Sequence, residues 1–384
     1  MGEAEIIEAR PRAPATERGS GLRRWDFIII PGLVALTVLL PAVLGECLAR
    51  LAWPEHLVNV CSIGTSQNHR FRPNCVSRMK APEGDWVDYR YNECGLRASD
   101  GCGPKPSGVE RIAILGTSVG LGFHVAEKDL FSSRMRGDLE RLWNRKVEFE
   151  NYSSVGPRIS QGDKLDSEIL KVSPDLVILV LVPYDLIHML QGSGQADDAR
   201  GNLPAAPRPQ PTSLLKDLMA RLADSRLLLV ARHFVWRDEF FTLQAYTDRA
   251  NPDDASRVLL SPTTQHAYDL LEMLLMRFAA DFRAHHVRFL TVPFPNRAQA
   301  IAIAHGLETP SLDPAAFPRR VAQIAHRAGV ECVSVVPAIE RSAATVNEMF
   351  MPVDGHPTRV AHEVIAQSVT AYLRDHPYAP APGK

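Results

Sequence analysis

The residues best suited to chemistry in this chain are a serine in a glycine turn and an aspartate–histidine pair far along the sequence. Ser118 stands in "ILGTSVGLG", where the apolar run Ile112 to Leu115 leads directly into the turn. Asp354 and His356 are two residues apart in "PVDGHPTRV". In an extended segment, residues two apart point to the same side, so Asp354 can orient the His356 ring while that ring faces Ser118. Those are the orienting, base and nucleophile roles of a Ser-His-Asp site.

The glycine turn is open to other interpretations. Ser118 taken alone is a small residue in a tight turn, and residues 116–120 also fit the G-x-S-x-G elbow of α/β-hydrolases. That elbow usually follows several earlier strands and has its acid and histidine on separate loops. Here the serine follows the first strand and the acid and histidine are neighbours. The glycines do not form G-x-G-x-x-G and no P-loop lysine follows them, which argues against nucleotide binding.

Composition excludes one class of partner. The 384 residues carry a formal net charge of −1, and we find no basic patch interleaved with aromatic residues. A nucleic-acid partner is therefore not expected.

An apolar run near the N-terminus predicts a membrane anchor. The segment Phe27 to Gly45 carries no charge, and its length of about 19 residues is close to what a bilayer crossing needs. Arg23 and Arg24 precede it, so the positive-inside rule keeps the N-terminus in the cytoplasm. A buried core helix or a cleaved signal peptide is the alternative. The run is long for a signal peptide and no small-x-small cleavage site follows promptly. We expect an uncleaved single-pass anchor in the cell (inner) membrane, with the rest of the chain extracytoplasmic or periplasmic.

Four cysteines lie just beyond this anchor: Cys61, Cys75, Cys94 and Cys102. An oxidising compartment would allow them to form disulfides, and four cysteines permit three pairings that sequence does not distinguish. No CxxC spacing occurs, so a metal site is not expected. Cys332 is predicted to be a buried strand residue.

Strand and helix patterns alternate from residue 111 onward, which predicts a three-layer α/β/α, flavodoxin-like, doubly wound parallel sheet of about five strands. An amphipathic helix is predicted over Thr263–Ala284, and another is opened by Asp313-Pro314 and closed by Gly329. The predicted strands are Arg111–Leu115, Val147–Asn151, Asp175–Val182, Val287–Val292 and Val330–Val336.

The chain is accordingly divided into five parts. We expect a disordered cytoplasmic N-terminus (1–25), a transmembrane anchor (26–47), an extracytoplasmic lead-in or cap (48–107), an α/β domain (108–376) with a long insertion (186–262), and a tail (377–384).

Four segments of the α/β domain together resemble the SGNH, or GDSL-type, hydrolases. "ILGTSVGLGFHVAEKDLF" resembles the first block of that family, "NYSSVGPRISQ" the second, "PDLVILVLVPYDL" the third, and "DGHPT" the final Asp-His block. The pieces "FRPN" and "NECGLR" resemble the lead-in of membrane-anchored members. The resemblance runs from about residue 70 to residue 374.

The resemblance implies Ser118 as nucleophile, His356 as base and Asp354 as its orienting partner. It also implies that the Gly156 amide helps to stabilise the oxyanion. This chain departs from the family at two positions. Thr117 stands where the family usually has Asp, and Tyr184 stands where it has an oxyanion-donating Asn. Loss of one such donor typically costs about 10²–10³ in turnover, although a phenol can also donate.

The implied function is a membrane-anchored, extracytoplasmic serine ester hydrolase or O-acyl transferase. Its partners would be an acyl ester, with acylated polysaccharide suggested by family and location, and the lipid bilayer. No cofactor and no metal are implied, and protein partners are not indicated. The alternative is a catalytically impaired SGNH-fold protein that binds glycan or scaffolds an envelope assembly, which the altered third block favours.

The arginines before the apolar run lead to a prediction on topology. A periplasm-sensitive reporter fused after residue 384 should report an extracytoplasmic position, and the protein should stay with membranes after a carbonate wash. A reporter that is active in the cytoplasm would contradict the predicted orientation.

Overall fold

The computed structural model describes residues 25–64, 70–154, 165–192, 224–248 and 254–377. Several sequence predictions lie outside these residues: most of the N-terminal segment, Gly156, residues 193–223 and 249–253 of the insertion, and the tail beyond residue 377.

A five-stranded parallel sheet forms the centre of the described structure. Its strand order is β6-β5-β7-β8-β9, and each neighbouring pair is parallel. This confirms the predicted doubly wound α/β architecture. In chain order the elements are α1 Asp26–Ala52, β1 Ser62–Ile63, β2 Arg70–Phe71, β3 Val76–Lys80, β4 Trp86–Arg90, β5 Val109–Gly116, α2 Ser118–Leu121, α3 Phe131–Trp143, β6 Lys146–Asn151, α4 Leu165–Leu170, β7 Leu176–Leu181, α5 Asp185–Gly192, α6 Arg226–Arg237, α7 Glu239–Asp248, α8 Pro262–Ala284, β8 Arg288–Pro293, α9 Arg297–Ala304, α10 Ala316–Ala328, β9 Glu331–Cys332, α11 Val336–Glu340 and α12 Arg359–Asp375.

The central strand β7 shows how the sheet is covered on both faces. All six of its residues are buried, as expected for a parallel strand between two helical layers. Val177, Leu179 and Leu181 pack in one core with α4, α5, α8 and α10. The alternate residues of β7 pack in a second core with α3, α9, α11 and α12. The strand period of two therefore divides one apolar run between two cores.

Helix boundaries follow the predicted caps closely. Helix α8 begins at Pro262 with the Ser261 side chain accepting from the backbone N–H of Thr264, and α10 ends at Gly329 in the left-handed conformation. Helix α10 starts slightly later in the chain than the Asp313-Pro314 pair predicts. Asp313 forms a turn with the N–H of Ala315, and the helix itself starts one residue later.

The last strand is much shorter than predicted. The sequence pattern predicts a strand over Val330–Val336, but β9 covers Glu331–Cys332. Val333 and Val335 are buried in irregular backbone, and helix α11 starts at Val336 with a proline in its first turn. The Val333 N–H still donates to the carbonyl oxygen of Thr291 in β8 at 2.9 Å, whereas Val335 is buried against the core beyond the end of strand pairing. Cys332 is partly buried, at the edge of the sheet.

Helix α1 is long and apolar enough to cross a membrane. Its segment Phe27–Ala52 reaches a mean hydropathy of 2.6, and none of its most apolar stretch is buried against the rest of the protein. Near its end α1 packs against α6. A methyl group built at Gly45 would lie 3.2 Å from the Leu227 side chain, so the two helices are in close contact there.

The lead-in region contains two small antiparallel sheets, β1–β2 and β3–β4. Disulfides join Cys61 to Cys75 and Cys94 to Cys102. The structure thus selects one of the three pairings that the sequence allowed. We call residues 54–64 and 70–107 the cap. Its apolar core includes Leu121, so the cap packs on the segment that follows β5.

Candidate active site

The structure brings Ser118, His356 and Asp354 together at the carboxyl edge of the sheet. Ser118 is the first residue of α2, and only Thr117 separates it from the end of strand β5. Its Oγ lies 3.0 Å from Nε2 of His356, and Nδ1 of the same ring is hydrogen-bonded to Oδ1 of Asp354. With the ring proton on Nδ1, Nε2 accepts the hydroxyl proton of Ser118. The arrangement is that of a nucleophile, a base and an orienting carboxylate.

The electrostatics of Asp354 favour its ionised form. Burial raises the pKa of this carboxyl, but the hydrogen bonds to His356 and the electrostatic effect of that ring outweigh burial and leave the pKa below its ordinary value. A carboxylate that stays ionised holds the ring proton on Nδ1 and stabilises the imidazolium that forms when His356 takes a proton.

Two glycines allow the serine to sit tightly against the sheet. A methyl group at Gly116 would lie 3.0 Å from the carbonyl oxygen of Val180, and one at Gly120 would lie 2.5 Å from Oγ of Ser153. In addition, the Asn151 side chain donates to the carbonyl of Gly120 at 3.0 Å. The glycine spacing around Ser118 therefore reflects two close approaches, that of the end of β5 to β7 at Gly116 and that of α2 to the segment after β6 at Gly120.

Thr117 and Asp185 join the ends of two neighbouring strands. The Thr117 hydroxyl donates to Oδ1 of Asp185 at 2.8 Å, and the other carboxylate oxygen accepts from the backbone N–H of Val182 at 2.8 Å. Both side chains are buried. Asp185 therefore anchors its loop, and the threonine hydroxyl supplies the contact that fixes the residue before Ser118.

Of the two residues predicted to bind the oxyanion, Tyr184 and Gly156, the structure describes only Tyr184. Tyr184 is 59% exposed, and its ring meets the edge of the His188 ring at a centroid distance of 4.8 Å. Gly156 lies outside the described residues. A shared role of Tyr184 and Gly156 in binding the oxyanion therefore stays a prediction.

A buried arginine holds the segment that follows Ser118, and sequence reasoning missed it. The Arg97 guanidinium donates to the carbonyl oxygens of Leu121, Gly122 and Val125 at 2.6–2.7 Å. It also lies 4.1 Å from the centre of the Tyr89 ring. Burial lowers the pKa of Arg97, against the opposing effects of nearby tyrosines and an acid. Arg97 is the last residue of "NECGLR", but nothing in that motif shows that the side chain turns inward.

A second histidine faces the first. His124 has a left-handed backbone conformation (φ 64°), and its backbone N–H donates to the Tyr89 hydroxyl at 2.7 Å. Its ring stands edge-on to the His356 ring at a centroid distance of 5.6 Å. Burial lowers the pKa of His124 to about 4, with Asp354 opposing the shift. His124 is therefore neutral at pH 7 and places a polar, uncharged ring beside the base.

His124, Asp354 and His356 are also the described residues whose donor atoms could hold a metal ion, since these atoms lie within 4.8 Å of one another. In the observed geometry, however, both nitrogens of His356 are engaged, one by Ser118 and the other by Asp354. The arrangement therefore fits proton transfer better than metal ligation.

Comparison with known proteins yields distant structural likenesses. No family model matches the chain, and no curated protein matches it. Among solved structures, TesA is similar at a TM-score of 0.38 and 13% identity, covering 69% of this chain and 99% of its own. A protein from Lactobacillus plantarum gives a TM-score of 0.34 and 14% identity over 70% and 98%. A GDSL-like lipase from Bacteroides thetaiotaomicron gives 0.30 and 10% over 70% and 89%. Because these TM-scores are below 0.5, the fold assignment rests on the strand order of this chain.

The tight approach of α2 to the sheet leads to a prediction for Gly120→Ala. The added methyl group would overlap Ser153, so we expect the free energy of unfolding to fall by about 1–3 kcal/mol in denaturant titration. The control is Gly137→Ala in α3, where the nearest atom is 3.8 Å away and the helix should gain up to about 1 kcal/mol. If both variants have the same stability, the close-approach explanation is wrong.

Proposed function

We propose that this protein is an SGNH-type serine ester hydrolase or O-acyl transferase, anchored in the membrane with its α/β domain on the extracytoplasmic side. The observation that carries the proposal is the 3.0 Å contact between Ser118 Oγ and His356 Nε2, with the opposite ring nitrogen bonded to Asp354. Such a contact activates an otherwise weak hydroxyl nucleophile.

The reaction follows from this geometry in two halves. In the first, Ser118 Oγ attacks the ester carbonyl carbon while His356 Nε2 takes the hydroxyl proton. The tetrahedral intermediate then collapses, the alcohol leaves with the proton from His356, and the acyl group stays on Ser118. In the second half, His356 takes a proton from water or from an acceptor alcohol, whose oxygen attacks the acyl-serine. Collapse releases an acid or a new ester, and His356 returns its proton to Ser118.

Charge on the intermediate needs donors near Ser118. We assign this role to the backbone N–H of Ser118 and of Gly156, with the Tyr184 hydroxyl as the third donor. Every proton in this scheme moves through His356, and the scheme uses no cofactor or metal. Hydrolysis and transfer share the acyl-serine and differ in the acceptor.

Location is supported by the chemistry of the cap. Both disulfides lie between residues 61 and 102, directly after α1. Disulfides persist in oxidising compartments such as the periplasm. With the arginines before α1, this supports a cytoplasmic N-terminus and an extracytoplasmic domain. An acylated surface or secreted polysaccharide is the substrate that this location and the family resemblance favour.

One observation favours a second candidate, an SGNH-fold protein that binds glycan or scaffolds an envelope assembly without catalysis. Tyr184 replaces the family's Asn, and its ring is largely exposed. An exposed aromatic ring at the edge of a site suits stacking on a sugar ring as well as it suits oxyanion binding.

Substitution at Tyr184 separates these candidates. If Tyr184 is an oxyanion donor, Tyr184→Phe removes one hydrogen bond and little volume, so acyl-ester turnover should fall by about 10²–10³ relative to wild type. Ser118→Ala gives the blank. Unchanged turnover in Tyr184→Phe would mean that the Tyr184 ring contributes packing and not an oxyanion hydrogen bond. If wild type is inactive and Tyr184→Asn gains esterase activity, the binding-protein candidate is favoured.

A further inference from the structure

The turn between β3 and β4 carries a buried carboxylate that touches the segment bearing the catalytic acid. The Glu83 side chain is 2% exposed. Its Oε2 accepts the backbone N–H of Asp354 at 2.8 Å, and both of its oxygens lie 3.1 Å from the backbone nitrogen of Val353. Asp354 is thus bonded at both ends, through its backbone to Glu83 and through its side chain to His356.

The segment around Asp354 needs this outside contact. Local backbone hydrogen bonds close its base. The Met351 N–H donates to the carbonyl oxygen of His356, and the Gly355 N–H donates to the carbonyl oxygen of Met351. Gly355 has φ 80°, which turns the chain back on itself. At the tip, the N–H groups of Val353 and Asp354 point away from this turn and toward Glu83. The carboxylate therefore supplies the acceptor that the turn itself does not offer.

On its other side Glu83 meets helix α6. Nδ1 of His233 lies 2.7 Å from Oε1 of Glu83, and the His233 ring packs edge-on against the Trp53 ring at 4.7 Å. Trp53 directly follows α1.

The start of α6 is in turn held by α1. The Glu46 carboxylate accepts from the Ser225 hydroxyl at 2.8 Å and from the N–H groups of Arg226 and Leu227 at 3.1 and 2.9 Å. Glu46 lies just past the apolar run Phe27 to Gly45 and also forms an ion pair with Arg50 at 2.7 Å. Hydrogen bonds and ring contacts therefore connect the end of α1, helix α6, Glu83 and the tip at Asp354.

We propose that Glu83 is a positioning residue, which holds the tip of the Asp354–His356 segment and ties it through His233 to the membrane-proximal helices. The inference rests on the proposed function in so far as the alignment of Asp354 matters to catalysis. Without the carboxylate, Asp354 loses the bond that fixes its backbone, and the His356 ring loses a rigid partner. Glu83 itself does not contact the Ser-His-Asp side chains. Its loss should therefore reduce kcat and leave KM unchanged.

The test uses the full-length protein in detergent or nanodiscs, with Glu83→Ala, Glu83→Gln and a control. Misplacement of a catalytic group by about 1 Å can cost about 10²-fold in rate, so we expect kcat for a soluble acyl ester to fall by about 10²-fold in Glu83→Ala. Glu83→Gln keeps one acceptor oxygen and should lose less. The matched control is Glu110→Gln, which removes an equally buried carboxylate, paired with Arg145 at 2.8 Å, at the far end of β5. It should keep the wild-type kcat.

Amide hydrogen exchange gives a readout that needs no activity. In Glu83→Ala, the peptide containing residues 351–356 should exchange at least about tenfold faster, while peptides from β7 keep wild-type protection. Faster exchange in both regions would indicate a general stability role and overturn the proposal. So would unchanged exchange in the tip, or a loss confined to KM. If wild type turns over no ester, the proposed function fails, and the exchange result still decides whether Glu83 holds the tip.

Discussion

The contact between Ser118 and His356 is the constraint on which the rest of this structure depends. It joins residues 238 positions apart, one just after strand β5 and the other in an irregular segment near the end of the chain. Strand β5 pairs with a neighbour on each side, so the position of Ser118 is fixed by the sheet. The histidine has no strand to hold it. Its alignment must come from contacts that surround the Asp354–His356 segment.

Much of that support comes from outside the α/β domain. The cap supplies Arg97, whose guanidinium satisfies three carbonyl groups after the nucleophile, and Glu83, whose carboxylate holds the tip next to Asp354. A guanidinium buried to this degree is tolerated because both of its terminal nitrogens donate to carbonyl oxygens and a tyrosine ring covers it. The two disulfides stiffen the cap that presents these groups. The cap therefore contributes side chains that hold the segments around Ser118 and Asp354 in place.

The sequence predicts the sheet and the three central residues because those depend on local patterns. Apolar runs mark β5, β6, β7 and β8 to within about two residues, and the Asp-x-His spacing brings Asp354 and His356 to one side. The pattern fails at β9, where pairing with β8 ends at Val333 although Val335 is still buried. Arg97, Glu83 and His124 were missed because their roles arise from tertiary contacts. An arginine or glutamate in a loop is ordinarily solvated, and no spacing rule marks the exceptions.

The pairing of the four cysteines was likewise open in the sequence, because it is decided by how the two small sheets of the cap fold. Thr117 shows the opposite situation. Its type departs from the SGNH pattern that the sequence resembles, yet its hydroxyl donates to Asp185 on the neighbouring strand end, so the turn before Ser118 is still fixed. A departure in residue type is thus offset where a partner lies within reach.

The most direct test of the account is to label the intact protein with a fluorophosphonate and map the adduct by peptide mass spectrometry. Such a probe reacts with a serine hydroxyl whose proton is taken by a base. We expect a single adduct on Ser118 that disappears in Ser118→Ala and forms far more slowly in His356→Ala. Absence of an adduct at Ser118, or labelling that is indifferent to the loss of His356, would contradict it.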